Sequence, residues 1–208
     1  MRTYAFIDAS NLFYGGEKSL GWRIDYLKLK QYLEERYQVS KVYYFGGVEI
    51  HQYPFDYLKN ETVPIKEVEK YIIQYIENKK QYLTDAKLVL LDRHLRRIHF
   101  YHKLEKFGYD LVLKPVKSYE DENGNIERKA NCDVDMTVYM MKERNAFDRA
   151  IFLSGDGDFL TVLKFLKENK KDIMVLARAP RTAREIKKFA GDKFMDFEYL
   201  RELLKYEE

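Results

Sequence analysis

The amino-acid sequence predicts an α/β fold in which a central, mostly parallel sheet is covered by helices. Two observations predict it. Short runs rich in β-branched and aromatic residues recur along the chain, and charged stretches carrying one apolar stripe lie between them. A third observation bounds the class: no apolar run approaches the ~18 residues that would suggest a membrane span.

Five runs fit core strands, at residues 4–7, 42–45, 111–114, 150–153 and 173–176. A sixth, KLVLL at 87–91, reads either as the end of a helix or as an extra strand. Between the first two runs, residues 25–37 set Tyr26, Leu29, Leu33 and Tyr37 at three-to-four spacing, one apolar stripe on a charged helix. Residues 65–83 repeat the pattern with Ile65, Val68, Ile72, Ile76 and Leu83, interrupted by Lys79. That is more chain than a crossover needs. Residues 50–90 therefore read as a helical insertion between the second and third core strands: a lid, a substrate guide or a dimer surface. HFYHKLEKF at 99–107 closes on Gly108, a helix-end signal, and Pro115 ends the third strand. The polar stretch 118–131, with Asn123 and Gly124, reads as a mobile loop or a small hairpin.

At 208 residues the chain fits one domain spanning residues 1–208. A single cysteine, Cys132, excludes an internal disulfide, and four scattered histidines offer no zinc-ligand spacing. With an N-terminus, MRTYAFIDASN, unlike a secretory signal, the expected setting is the cytoplasm. The net charge of +3 neither requires nor forbids a polyanionic partner, so the distribution of basic residues has to decide. The 18 Tyr and 13 Phe suit base-stacking surfaces, although aromatic cores are the commoner cause.

The chemistry concentrates in three segments. FIDASN puts Asp8 directly after the first strand, and FLSGDGDF puts Asp156 and Asp158 directly after the fourth. In an open parallel sheet, ligands bind beyond the carboxyl ends of the strands, where strand order reverses. CDVDMTVYMM adds Asp133 and Asp135 at the start of a helix leading into the fourth strand. Gathered carboxylates repel one another unless a cation neutralises them, and oxygen donors suit Mg²⁺ or Mn²⁺. Such ions activate water and stabilise a phosphodiester's leaving oxygen, so nucleic-acid hydrolysis is the natural chemistry. Each residue also has an ordinary reading. Asp156, Asp158 or Asp133 alone is a helix cap, whereas an unpaired carboxylate after an apolar strand, as at Asp8, is costly. Asp135, two positions from Asp133, projects to a different side of the helix and stands as a secondary candidate with Ser154. Asn11 and Ser154 suit the orientation of a ligand or water, and equally suit a loop.

These segments resemble the NYN branch of the PIN-like nucleases, particularly its bacterial LabA or DUF88 type: FIDASNL, KANCDVDMTVYMM and FLSGDGDFLTVLKFLKENKKDIMVL stand in the family's order. The resemblance implies a Rossmann-like three-layer α/β/α sandwich and a Mg²⁺- or Mn²⁺-dependent ribonuclease. The family's acidic positions fall on Asp8, Asp133, Asp156 and Asp158, and its asparagine on Asn11. Lys129 matches the family lysine and is a candidate for holding the scissile phosphate. Ala130 stands where the family usually has Gly, and Tyr139 where an additional Asp is often seen.

Further basic residues give a path for the polyanion. Lys114 and Lys117 follow the third strand, Arg178, Arg181 and Arg184 follow the fifth, and Arg93, His94, Arg96, Arg97 and His99 lie in RHLRRIH. The expected partner is nucleic acid, RNA first, with no membrane and with a homodimer as an option. The competing readings are a non-catalytic RNA- or phosphate-ligand-binding regulatory module that keeps the acidic pocket, and a phosphohydrolase acting on nucleotides.

Overall fold

In the computed structural model, which describes residues 1–13, 18–120 and 126–207 and only the backbone of 118–120 and 126–129, six parallel strands form the core. They are β1 (Thr3–Asp8), β2 (Val39–Val48), β3 (Asp110–Pro115), β6 (Arg149–Leu153), β7 (Asp172–Ala177) and β8 (Phe194–Asp196), in the spatial order β3-β2-β1-β6-β7-β8. The chain winds outward in one direction from β1 to β3, then returns beside β1 and winds the other way. The switch point thus falls between β1 and β6, whose carboxyl ends open a crevice. A separate antiparallel hairpin, β4 (Lys117–Glu120) with β5 (Ile126–Lys129), stands off the main sheet. Asn123 and Gly124 lie outside the described residues.

Period-two alternation explains the three layers. Ala5 and Ile7 of β1, with Val42 and Tyr44 of β2, enter one core, against Leu29 and Leu33 of α1 (Tyr26–Tyr37), Val68 and Ile72 of α2 (Ile65–Lys79), and Ile98 and Leu104 of α3 (Asp85–Lys106). Phe6, Tyr43 and Phe45 point the other way, into a core closed by α4 (Asp133–Lys142), α5 (Leu160–Glu168) and α6 (Arg184–Ala190) through Met136, Met140, Leu163, Leu166 and Ile186. Strands covered on both faces read as nearly continuous apolar runs, which is why all five are visible in the sequence. The missed strand, β8, is three residues long at the sheet's edge and has half-buried Phe194 and Met195, too short to show a pattern.

The insertion is longer than residues 50–90 suggest. KLVLL falls in the first turns of α3, which runs unbroken to Lys106, while α2 stops at Lys79 and passes into a 3₁₀ turn. Thr84 starts α3 by accepting the N–H of Lys87. Gly108, at φ +85°, ends the segment in a conformation that disfavours a side chain.

Much of the tyrosine content is structural. Tyr26, Tyr44, Phe100, Tyr101 and Tyr109 pack edge to face between the sheet and α1 and α3. The Tyr101 hydroxyl donates to the Gly47 carbonyl at 2.6 Å, and Tyr109 to that of Tyr26 at 2.6 Å, so burial leaves neither without a partner.

His51, after β2, takes a left-handed backbone (φ 49°) with its ring against Tyr75. Burial, and then the positive charge of Lys87 and His94, pushes its imidazole below the ordinary value of 6.5. The unfolded chain binds a proton there that the folded chain refuses, so acidification through that value removes stability. The melting temperature should fall between about pH 7.5 and about 5.5, and should fall less in His51→Asn, which tolerates the same backbone. Equal pH dependence of the two proteins would reject the assignment.

Candidate active site

Asp8 ends β1 and is 5% exposed. Its Oδ1 accepts the N–H of Ser10 at 3.0 Å, the N–H of Asn11 at 3.1 Å and the Ser10 hydroxyl at 2.8 Å, capping the single helical turn Ala9–Asn11. Its Oδ2 accepts the Ser154 hydroxyl at 3.0 Å across the switch point. Ser154, fully buried after β6, also accepts the Asp156 N–H at 3.2 Å, and the Asn11 side-chain carbonyl accepts the Gly155 N–H at 2.9 Å. Two loops separated by 146 positions are thereby held at one place by Asp8, Asn11 and Ser154. Gly155 permits the closeness. A Cβ there would stand 2.6 Å from the Thr182 hydroxyl oxygen and 2.9 Å from the Thr182 Cα.

The other acidic candidates are placed unequally. Asp156 Oδ1 accepts the N–H of Asp158, so Asp156 is a cap, and Asp158 is exposed. Asp133 is the first residue of α4, with its N–H donated to Asn131 Oδ1 at 3.2 Å. Asp135 pairs with Lys114 at 2.8 Å, which accounts for its turning away from Asp133. Asp8, Asp135 and Asp133 all bear on Cys132, whose thiol burial pushes up to about 12 with these carboxylates adding to the effect. The start of α4 therefore does approach the end of β1. Among the described residues, however, no three His, Cys, Asp or Glu side chains converge as a ready metal cage.

Two cavities flank the Asp8–Ser154 link. One, of about 460 Å³, has Asp8 and Ser10 at its base, Gly46, Gly47 and Glu49 from the end of β2 on one side, and Arg93, His94 and Arg97 of α3 on another. The second, of about 490 Å³, lies between Asn11, Asp156 and Arg181. Sequence reasoning counted RHLRRIH among the basic residues along the polyanion's path, without placing any of its side chains at the Asp8 crevice. The signal was there in the spacing of Arg93 and Arg97, but which face of the helix met the crevice depended on tertiary packing.

Of the predicted phosphate contacts, Arg181 lines the second cavity and Arg184 is exposed on α6. Arg178 is held by Asp196 at 2.9 Å and Glu198 at 2.7 Å, a structural pairing at the end of β7. Lys114 is engaged with Asp135, and Lys117 stands over the Tyr57 ring at 5.0 Å. The side chain of Lys129 lies outside the described residues. The two departures from the family pattern are accommodated. Ala130 sits where Gly47 lacks a Cβ, which would otherwise fall 2.6 Å from the Ala130 Cβ. Tyr139 packs on Tyr43 and Phe45 and donates to Glu61 at 3.3 Å.

A parallel six-stranded sheet between two helical layers, with acidic residues at the switch point, defines a Rossmann-like three-layer α/β/α domain. The chain belongs to the NYN domain family, whose model matches residues 70–198. It is similar to the Low amplitude and bright protein LabA of Synechococcus elongatus, with 24% identity over 207 residues covering 98% of this chain and 87% of that protein. Among solved structures it resembles a protein of unknown function, VPA0982, from Vibrio parahaemolyticus (TM-score 0.59, 17% identity, 91% of this chain and 89% of that one). It also resembles, more loosely, the T5 D15 protein co-crystallised with metal ions (TM-score 0.45, 14% identity, 90% of this chain and 59% of that one). No helix among the described residues is long and apolar enough to cross a membrane.

The links between the loops make two expectations. Gly155→Ala should cost about 1–3 kcal/mol through overpacking against Thr182, read as a lowered urea midpoint at unchanged slope. Ser154→Ala, which leaves Asp8 Oδ2 without its donor, should cost about 1–3 kcal/mol in the same assay. Wild-type midpoints in both would show that the loops are not held this way.

Proposed function

We propose that this chain is a divalent-metal-dependent nuclease, an endoribonuclease by preference, working at the crevice between the ends of β1 and β6. The observation that carries the reading is the placement of Asp8. A nearly buried carboxylate closes the central strand, faces a cavity wide enough for part of a nucleotide, and is oriented from the opposite loop by Ser154. Family membership supports it, since the acidic positions of the NYN resemblance fall on Asp8, Asp133, Asp156 and Asp158.

The donor set fits Mg²⁺ or Mn²⁺. All four candidate ligands are carboxylates, hard oxygen donors of the kind these ions select. Mg²⁺ in particular takes one or two carboxylates and fills its shell with water and substrate phosphate oxygens, so a preformed cage of three side chains is not required. When bound, the ion supplies Lewis-acid stabilisation of phosphoryl charge and a more acidic water. Asp8 and Asp156 would be its first ligands, with Asp133 and Asp158 completing or supporting them. The chain's own part is to orient. Ser154 and Ser10 donate to the Asp8 carboxylate and fix its direction, Asn11 locks the Gly155 loop beside it, and Lys114 takes up the charge of Asp135.

The second reading, a non-catalytic RNA- or phosphate-binding regulatory module, has one observation in its favour. Asp8 already accepts four hydrogen bonds from the protein, and Asp156 is spent on a cap, an arrangement that a purely structural crevice also satisfies.

Labelled single-stranded RNA and DNA, incubated with the purified chain in Mg²⁺, Mn²⁺ or EDTA, separate the two. We expect metal-dependent internal cleavage that Asp8→Asn abolishes and Ser154→Ala lowers by about 10–100-fold, as for other residues that orient a ligand. A panel of mononucleotides should be turned over poorly; preference for them would make the protein a nucleotidase. Binding of oligomers without turnover in any metal would decide for the regulatory module.

A further inference from the structure

The helical insertion carries a basic stripe on the wall facing Asp8. Leu90, Arg93, His94 and Arg97 occur at i, i+3, i+4 and i+7 of α3, and all four line the Asp8 cavity. The neighbouring basic residues face elsewhere and are matched. Arg96 is paired with Asp92, and His99 with Glu69 at 2.8 Å. Arg93 is exposed and forms no ion pair with any described residue, while Arg97 lies over the rings of Phe100 and Tyr101, with Glu49 the acidic group that bears on it across the cavity. Two guanidinium groups at i and i+4, ~6 Å apart along the axis, repel and weaken the helix unless an anion lies between or over them.

From this geometry we infer that the Arg93–Arg97 stripe is the phosphate-binding wall of the crevice, gripping successive phosphates of a single nucleic-acid strand. This assigns the insertion its task, the capture of substrate, and it rests on the reading of the Asp8 crevice as a nucleic-acid site. The charge distribution favours a strand over a free mononucleotide. Arg93 and Arg97 stand along one wall, and Arg181 lies in the second cavity on the far side of the Asp8–Ser154 link, so cations continue past the crevice in both directions. Planar guanidinium forks suit bidentate contact with phosphate oxygens, and the guanidinium carbon of Arg97 already lies over the Phe100 and Tyr101 rings, 5.8 and 5.4 Å from their centres. Contacts of this kind position a strand without reading its bases.

Binding is measured by fluorescence anisotropy of 5′-labelled single-stranded RNA and DNA in EDTA, across a range of salt, for wild type, Arg93→Gln, Arg97→Lys, the double variant Arg93→Gln/Arg97→Gln and the control Arg96→Gln. Arg93→Gln keeps length and removes charge at an exposed position, so folding is preserved; Arg97→Lys keeps charge and loses the fork. We expect Arg93→Gln to weaken binding by about 3–10-fold and to reduce the salt slope by about one contact, ~0.7 on a single strand. The double variant should lose more, Arg97→Lys should retain the salt slope at lower affinity, and Arg96→Gln should match wild type. AMP and inorganic phosphate should compete poorly. If wild type binds strands and Arg93→Gln and the double variant bind them equally well, the inference is overturned while the nuclease reading stands. If the stripe variants lose binding but no strand is ever cut, the inference stands and the nuclease reading falls. If wild type binds no strand at low salt, or AMP competes as well as an oligomer, the inference fails.

Discussion

A carboxylate that is nearly buried at the end of a central strand has to be surrounded by donors, and in this protein the donors come from two loops. Asp8 takes three hydrogen bonds from its own turn and a fourth from Ser154. Everything at the crevice follows from that demand. Satisfying Asp8 fixes the Ser154 rotamer, Ser154 then orients the Asp156 amide, and Asn11 ties down the next residue, Gly155. A tight network of this kind is rigid because breaking any member strands a polar group away from water. The sheet supplies the frame: β1 and β6 run parallel and adjacent, so the ends of both strands arrive at the same edge.

The parts of the fold that could be read in advance are those governed by local periodicity. Strands buried on both faces and helices with one apolar stripe print their pattern in the sequence, and so β1, β2, β3, β6, β7 and α1 were legible, as was the presence of a helical insertion. The three-residue β8 was not, nor the end of α2 and the start of α3, where a charged, polar stretch carries no period. At the crevice, the placement of Asp8 and Asp156 just at the ends of strands was legible because strand ends can be located. The capping role of Asp156 is likewise what its position before a helix would suggest. What could not be read was pairing at a distance. Nothing local marks Arg178 as the partner of Asp196 and Glu198, Lys114 as that of Asp135, or Arg93 and Arg97 as facing Asp8 rather than solvent.

The insertion differs in character from the rest of the domain. Its inner face joins the aromatic core through Tyr101, which reaches the Gly47 carbonyl at the rim of the Asp8 cavity. The same helix thus anchors in the core through one stripe and lines the crevice through the next. A shift of α3 about its axis would move both together, coupling the packing of Tyr44 and Tyr101 to the position of Arg97. The family model begins at residue 70, inside α2, and ends at residue 198. Asp8 and the first two strands therefore lie outside the matched region, although the hydrogen bonds bind them to its centre.

The 146-position gap between Asp8 and Ser154 has a thermodynamic consequence. A site whose halves meet only after the central strands have paired does not exist in any partly folded chain that lacks β1 or β6. A ligand needing both loops can bind the complete fold alone, and its binding energy adds to the stability of the whole domain by mass action rather than to that of one loop. Occupancy of the crevice is therefore linked to global unfolding, and the resistance of distant β-strands to hydrogen exchange becomes a gauge of what sits beside Asp8.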